Sequence, residues 1–235
     1  MLILAFETSA KAAGVALFED GKLLAETYQN TGLTHSQTLL VMAEDLLKQC
    51  GFAPKAVQAV AVAAGPGSFT GVRIGVAAAK GFAWGLQIPC YGVSTLQSMA
   101  LGLGVHSGTV CTVMDARRSQ VYNALFSAEN GSLSRITADR AIALTDLAEE
   151  LKQAKQPIFL VGDGSELTYR TLKDMLPGLV MPQESRMHQR AVGVGLAALQ
   201  AIAEGQRGDA EALQPNYLRL SQAEREKLEK QNLNR

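Results

Sequence analysis

The chain has 235 residues, 47% of them hydrophobic, with 22 Lys plus Arg against 22 Asp plus Glu, a formal net charge of zero. That content is enough to bury a substantial core in one large or two small domains. The charge balance excludes a global positive field that could hold a polyanion by counterion release alone.

Cys50, Cys90 and Cys111 are widely spaced and odd in number, which argues against a disulfide framework or a thiolate metal site and for a reducing compartment. Met1 to Phe6 is apolar but lacks a basic leader and meets Glu7 at once, unlike a signal peptide. No stretch of about twenty apolar residues is free of charge. The expectation is a cytoplasmic protein with no membrane contact.

Leu2 to Phe6 reads as a strand, Gly14 to Phe18 as a second and Lys22 to Tyr28 as a third, with Asp20-Gly21 as a tight hairpin turn between the last two. Thr34 is placed to cap a helix reaching Cys50, behind which Leu39, Leu40, Met42, Ala43, Leu46 and Leu47 recur at helical spacing. Ala56 to Ala64 reads as a buried strand, followed by a glycine loop, a helix over Val72 to Leu86, a strand over Pro89 to Val93 and a helix over Thr95 to Leu101. The plan then begins again. Thr109 to Met114 and Val121 to Ser127 read as strands, Asn130-Gly131 as a turn and Ser134 to Ala138 as a weaker strand. A helix over Leu144 to Ala154, a strand over Ile158 to Val161 and helices over Leu167 to Met175 and Arg190 to Glu204 complete it. The chain thus divides into two α/β halves, 1–105 and 106–220, and a polar tail, 221–235, too poor in large apolar side chains to order itself.

The most informative stretch is Gly65-Pro66-Gly67-Ser68-Phe69-Thr70-Gly71-Val72-Arg73, between a buried strand and a helix. Glycines let the backbone turn sharply and approach a neighbour, and Ser68 or Thr70 is placed to cap the helix. Such a loop suits an anion. A tight turn without a ligand fits the spacing equally, since this is neither a Walker loop nor a dinucleotide fingerprint.

With Phe6-Glu7-Thr8-Ser9 after the first strand and Pro215-Asn216-Tyr217-Leu218-Arg219 near the end, the glycine run resembles the TsaB (YeaZ) family over nearly the whole chain. The resemblance implies an actin-like, sugar kinase and Hsp70-type (ASKHA) fold, a duplicated ribonuclease H-like α/β plan. It also implies a noncatalytic subunit required for N6-threonylcarbamoyladenosine at position 37 of tRNA. Such a subunit pairs with its catalytic paralogue TsaD, works with the ATPase TsaE, meets tRNA mainly through that complex, and is able to form a homodimer when alone. No cofactor is implied.

The catalytic paralogues carry a Lys-Gly, a Pro soon after and a His-x-x-x-His pair that holds a metal. This chain keeps Lys80-Gly81, Pro89 and Tyr91 but has Thr95 and Met99 at the matching positions, and a hydroxyl and a thioether do not replace two imidazoles. Ala10-Lys11-Ala12 stands where the relatives have Cys-Asp-Glu. A phosphate hairpin needs glycines, yet the matching turn is Asp115-Ala116-Arg117-Arg118. Those arginines fit phosphate binding or pairing with carboxylates equally. Val161-Gly162-Asp163-Gly164 keeps the glycines of an adenosine-contacting turn, so a remnant nucleotide cleft would comprise Thr8, Ser9, Arg117, Arg118, Gly162 and Gly164.

His35, His106 and His188 have no ligand spacing, and Phe69 stands where a Gly-x-Ser-x-Gly elbow needs its last glycine. The alternatives to a partner subunit are an ATP-dependent kinase or ATPase of the same fold and, more weakly, a glycoprotease-like metallopeptidase. On the second helix Gly71, Gly75 and Ala79 share one side, with Ala78, Phe82 and Leu86 adjacent. Small residues four apart admit a close helix, in a partner or in the chain itself. The resemblance implies that the first two helices join a bundle with TsaD or a second copy. The contacts would be His35, Leu39, Met42 and Leu46 on the first helix and Gly71, Gly75, Ala78, Ala79 and Phe82 on the second.

Overall fold

A computed structural model describes residues 1–105 and 107–219. Three antiparallel strands, β1 (Leu2–Glu7), β2 (Ala13–Glu19) and β3 (Lys22–Gln29), lead into α1 (His35–Gln49), β4 (Ala59–Gly65), α2 (Phe69–Leu86), β5 (Cys90–Ser94) and α3 (Thr95–Leu103). The second half runs β6 (Ser107–Asp115), β7 (Gln120–Glu129), β8 (Ser132–Arg135), β9 (Arg140–Ala143), α4 (Leu144–Leu151), β10 (Ile158–Val161), α5 (Ser165–Leu172), β11 (Leu179–Val180), α6 (Glu184–Met187) and α7 (Ala191–Ala203). The first sheet has the order β3-β2-β1-β4-β5, and the second, read from its β8 edge, β8-β7-β6-β10-β11. In each, the first three strands pair antiparallel and the last three parallel. The two sheets share one five-strand order, to which the second adds β9 paired antiparallel with β7.

Elements differ from the sequence expectation where a local bond or a proline decides. The strand expected from Ala56 starts at Ala59, because Pro54–Ala56 forms a 3₁₀ turn. The strand expected over Ser134 to Ala138 is instead two short ones, β8 and β9. Between them the Thr137 hydroxyl accepts from Leu125 N at 2.9 Å, taking the place of a ladder carbonyl. Thr34 occupies the N-cap of α1 without a side-chain bond, whereas Ser68 caps α2, its Oγ accepting from Gly71 N at 3.3 Å. β11 and α6 are too short to show a period. The polar tail lies outside the described residues. Among those residues no helix is long and apolar enough to cross a membrane.

The last helix of each half packs on the other half's sheet. On α3, Leu96, Met99, Ala100 and Leu103 are buried with Val110, Met114, Ala124 and Phe126 of the second sheet. On α7, Ala191, Val194, Ala197 and Ala198 are buried with Ile3, Ala5, Phe18 and Ala61 of the first. The two helices lie against each other through glycines: a Cβ on Gly102 would sit 3.6 Å from Gly193 Cα, and one on Gly193 would overlap the Ser98 carbonyl. Glu26 Oε1 accepts from Val192 N at 3.0 Å and pairs with Arg190, pinning the start of α7 to β3.

Gly193→Ala tests this contact. Inside a helix, alanine ordinarily stabilises by roughly 0.5–1 kcal/mol. Here overpacking against the Ser98 backbone should reverse the sign and cost about 1–3 kcal/mol, lowering Tm by at least about 2 °C in a thermal melt.

Candidate functional site: the interlobe cleft and an outer helical face

β1 ends at Glu7, and the turn that follows is clamped under the first turns of α2. Thr8 Oγ1 donates to Gly71 O at 2.8 Å, and Ser68 N donates to Ser9 O at 2.7 Å. A Cβ on Gly67 would stand 2.5 Å from Ser9 O, one on Gly71 would overlap Thr8 O and one on Gly75 would overlap Thr8 Oγ1. Gly65, at φ +117°, faces the Asn216 carbonyl at similarly short range. The glycines of the run are therefore set by close approach of the chain to itself.

Between the lobes lies a cleft of about 460 Å³. The turn after β1 gives it Ser9 and Lys11, the β6–β7 turn gives Asp115 and Arg117, and the β10–α5 turn gives Asp163. Residues 215–219 cross its mouth as a strap. Asn216 N donates to Ala64 O at 2.6 Å, the Tyr217 ring lies 4.8 Å from that of Phe69, and Arg219 Nη1 donates to Ala116 O at 2.6 Å. Arg73 sits 3.9 Å over the Phe69 ring, and its Nε donates to the Tyr217 hydroxyl at 2.8 Å. Sequence order had singled out the Pro215–Arg219 motif without saying where it lies.

Two carboxyls meet the cleft: Glu7 is buried beneath it, and Asp163, half-buried, lines it. Burial pushes Glu7 up to about 7, against the Ser9 bonds that lower it. Its Oε1 accepts from Ser9 N at 2.6 Å, and the Ser9 hydroxyl lies beside the same carboxyl. Burial also raises Asp163, whose Oδ1 accepts from Gln189 Nε2 at 3.1 Å.

Of the expected nucleotide residues, the cleft collects Ser9 and Arg117, with Arg118 next in the same turn. Thr8 is fully buried and spent on α2. Gly162 and Gly164 are to be corrected: their amides donate to Met187 O at 2.7 Å and Val113 O at 3.1 Å, and both glycines admit close packing on β6 rather than a ligand. Thr95 and Met99 are buried, with the Met99 sulfur 3.0 Å from where a Gly162 Cβ would stand. Among the described residues, no three His, Cys, Asp or Glu side chains gather where they could hold a metal ion.

The expected partner face also needs correction. Leu39, Met42 and Leu46 are buried in the core of the first lobe, as are Gly71, Gly75 and Ala79, so the small-residue row that motivated the expectation faces Thr8 and Val62 of the chain itself. Ala78 and Phe82 are half-buried against that core. His35 is half-buried, and its Nε2 donates to Ala10 O at 2.8 Å. A second row, which sequence reasoning missed, points outward. On α2, Ala77, Gly81 and Gly85 are exposed, Cβ atoms on the two glycines would meet nothing within 4 Å, and Trp84 is 64% exposed. On α1, which packs against α2, Leu40 is 51% and Val41 56% exposed. The signal was the single tryptophan on a helix with Arg73 and Lys80 as its two charges.

Residues 27–227 match the model of the family described as "TsaD: tRNA N6-adenosine threonylcarbamoyltransferase". The chain is 35% identical over 231 residues to the tRNA threonylcarbamoyladenosine biosynthesis protein TsaB of Bacillus subtilis, covering 98% of this chain and 100% of that one. Against TsaB of Escherichia coli it is 33% identical over 222 residues, 93% and 95% of the two chains. The chain belongs to the TsaB family. The structure agrees with that of YeaZ from Pseudomonas aeruginosa at a TM-score of 0.76 and 29% identity, over 92% of this chain and 99% of that one. The fold is the actin-like, sugar kinase and Hsp70-type duplication. In this TsaB family member the cleft of that fold is present, but its glycines are turned to internal packing.

Glu7 makes stability depend on pH. Because folding raises this carboxyl from 4.5 to about 7, the native chain keeps a proton that the unfolded chain releases. Stability should therefore fall as pH rises from about 4.5 to about 7 and then level off, by up to about 3 kcal/mol from this group. Urea unfolding of Glu7→Gln at pH 5 and pH 8 should give a clearly smaller difference than the parent chain, the remainder reflecting Asp163.

Proposed function

We propose that this chain is a noncatalytic partner subunit in the biosynthesis of N6-threonylcarbamoyladenosine on tRNA, docking a TsaD-type transferase through the outer face of α1 and α2 and working with the ATPase TsaE. The observation that carries the reading is the exposed apolar face formed by Leu40, Val41, Trp84 and the open Gly81 and Gly85. Two glycines one turn apart let another helix come close, and a large exposed indole beside them offers an anchor of the kind that dominates interfaces. The names of the relatives from Bacillus subtilis and Escherichia coli supply the pathway.

The noncatalytic half of the reading draws on the cleft. Gly162 and Gly164 spend their amides on Met187 and Val113, and Gly67, Gly71 and Gly75 pack on Thr8 and Ser9. The same packing argues against the kinase reading, since a nucleotide's phosphates need free backbone amides at such turns.

Trp84→Glu and Gly85→Leu test the docking face. Both positions are exposed, so the melting temperature should stay within about 1–2 °C of the parent. Affinity for purified TsaD, measured by calorimetry, should drop at least about tenfold for each. Normal affinity in both variants would sink the assignment of this face.

A further inference from the structure

We infer that the mouth of the interlobe cleft is a contact surface for single-stranded RNA, with Arg117 and Arg118 meeting phosphates and Tyr217 offering a ring to a base. The choice of RNA among polyanions rests on the proposed role in tRNA modification; the surface itself rests on charge, strain and aromatic geometry.

Charge comes first. The whole chain is formally neutral, yet Lys11, Arg117 and Arg219 line one cleft, with Arg73 beside it on Tyr217 and Arg118 next to Arg117 in the same exposed turn; among the described residues Asp115 and Asp163 are the carboxylates of that lining. Asp163 is half-buried and held by Gln189, while the Arg117 side chain is 82% exposed and its pairing with Asp115, at 3.9 Å, is a loose surface contact. The positive end of the cleft is thus its outer rim.

Strain supplies the second observation. Arg117, Arg118 and Ser119 have φ of 66°, 56° and 55°, the left-handed region that side chains rarely adopt, where glycine or asparagine would sit more easily. The Asp115 carboxylate, accepting from Arg117 N at 2.7 Å, holds the first of them in place. Two long cations are kept on a turn that glycine would relax, and strain of this kind collects at binding sites.

The third is the strap. Arg73 stacks on Phe69 and bonds Tyr217, fixing a ring that is 39% exposed, while Arg219 ties the same strap to Ala116 on the arginine turn. Aromatic rings fixed among arginines suit a flexible strand, whose phosphates meet the cations while its bases stack. An acidic peptide would use the charges and leave the ring idle. Two phosphate contacts imply a slope of about −1.4 for log affinity against log salt concentration, a modest auxiliary hold.

The test is fluorescence anisotropy of the full chain with a labelled, unstructured single-stranded RNA, using polyglutamate as the competing polyanion. Arg117→Gly/Arg118→Gly is the main variant, because it relaxes the turn while removing the charge. It should stay folded, with Tm within about 2 °C of the parent, bind RNA at least about tenfold more weakly and show a flatter salt slope. Tyr217→Ala should lose about tenfold at an unchanged slope, and Tyr217→Phe should bind as the parent does. Absence of saturable binding at low salt, unchanged binding by the glycine variant, or polyglutamate binding as tight as RNA would each overturn the inference. Threonylcarbamoyladenosine levels in cells lacking their own TsaB separate the two proposals. Failure of the parent chain to restore the modification counts against the proposed function. Restoration by the parent and equally by the RNA-binding-deficient variant counts against the RNA surface.

Discussion

The contact between Thr8 and the glycines of α2 is the constraint on which the rest of the molecule turns. Helices ordinarily ride about 8–10 Å from what they pack on, held off by side chains. With glycine at 71 and 75, the helix settles on the backbone of the first turn, and Thr8 donates directly to the Gly71 carbonyl. That seating fixes the rotation of α2 about its own axis. One small-residue row is committed inward, the opposite row is left outward, and the N-terminus of the helix is delivered to the rim of the cleft. The exposed apolar face and the cleft are two ends of one placement.

The cleft keeps the outline of a ligand site with its fittings turned to other use. The loop glycines pack on the turn after β1, the glycines of the β10–α5 turn pack on β6, and the β6–β7 turn carries arginines where a phosphate would want bare amides. The carboxyl of Glu7, buried beneath it, and that of Asp163, half-buried in its lining, are both raised by desolvation. Such a site is better suited to holding two lobes in register, and to meeting a polyanion at its edge, than to enclosing a nucleotide.

Much of the fold was legible because period and turn chemistry agreed. Asp20-Gly21 and Asn130-Gly131 both take the left-handed conformations that tight hairpins need, and the duplicated order of elements appears as two sheets sharing one five-strand order. The interruption between β8 and β9 depends on one threonine hydroxyl bonding twelve residues away, which no local pattern reveals. That the small-residue row expected to meet a partner faces the core was hidden for a related reason. α2 carries small residues in two rows, Gly71-Gly75-Ala79 and Ala77-Gly81-Gly85, and periodicity identifies a row without saying which side of the helix meets the sheet. Trp84 marked the outward side, and burial was needed to read it.

The exchange of α3 and α7 has a consequence for how the chain is made. The first sheet is complete in sequence at Ser94, but the helix that covers one face of it ends at Ala203. At a synthesis rate of about 5–20 residues per second, roughly 5–20 s pass between the two. Through that interval the apolar surface around Ile3, Ala5 and Ala61 lacks the cover of α7, and the emerging chain depends on shielding from aggregation by other means, such as a chaperone. The interlock that joins the finished lobes thus delays completion of the first core until most of the chain has left the ribosome.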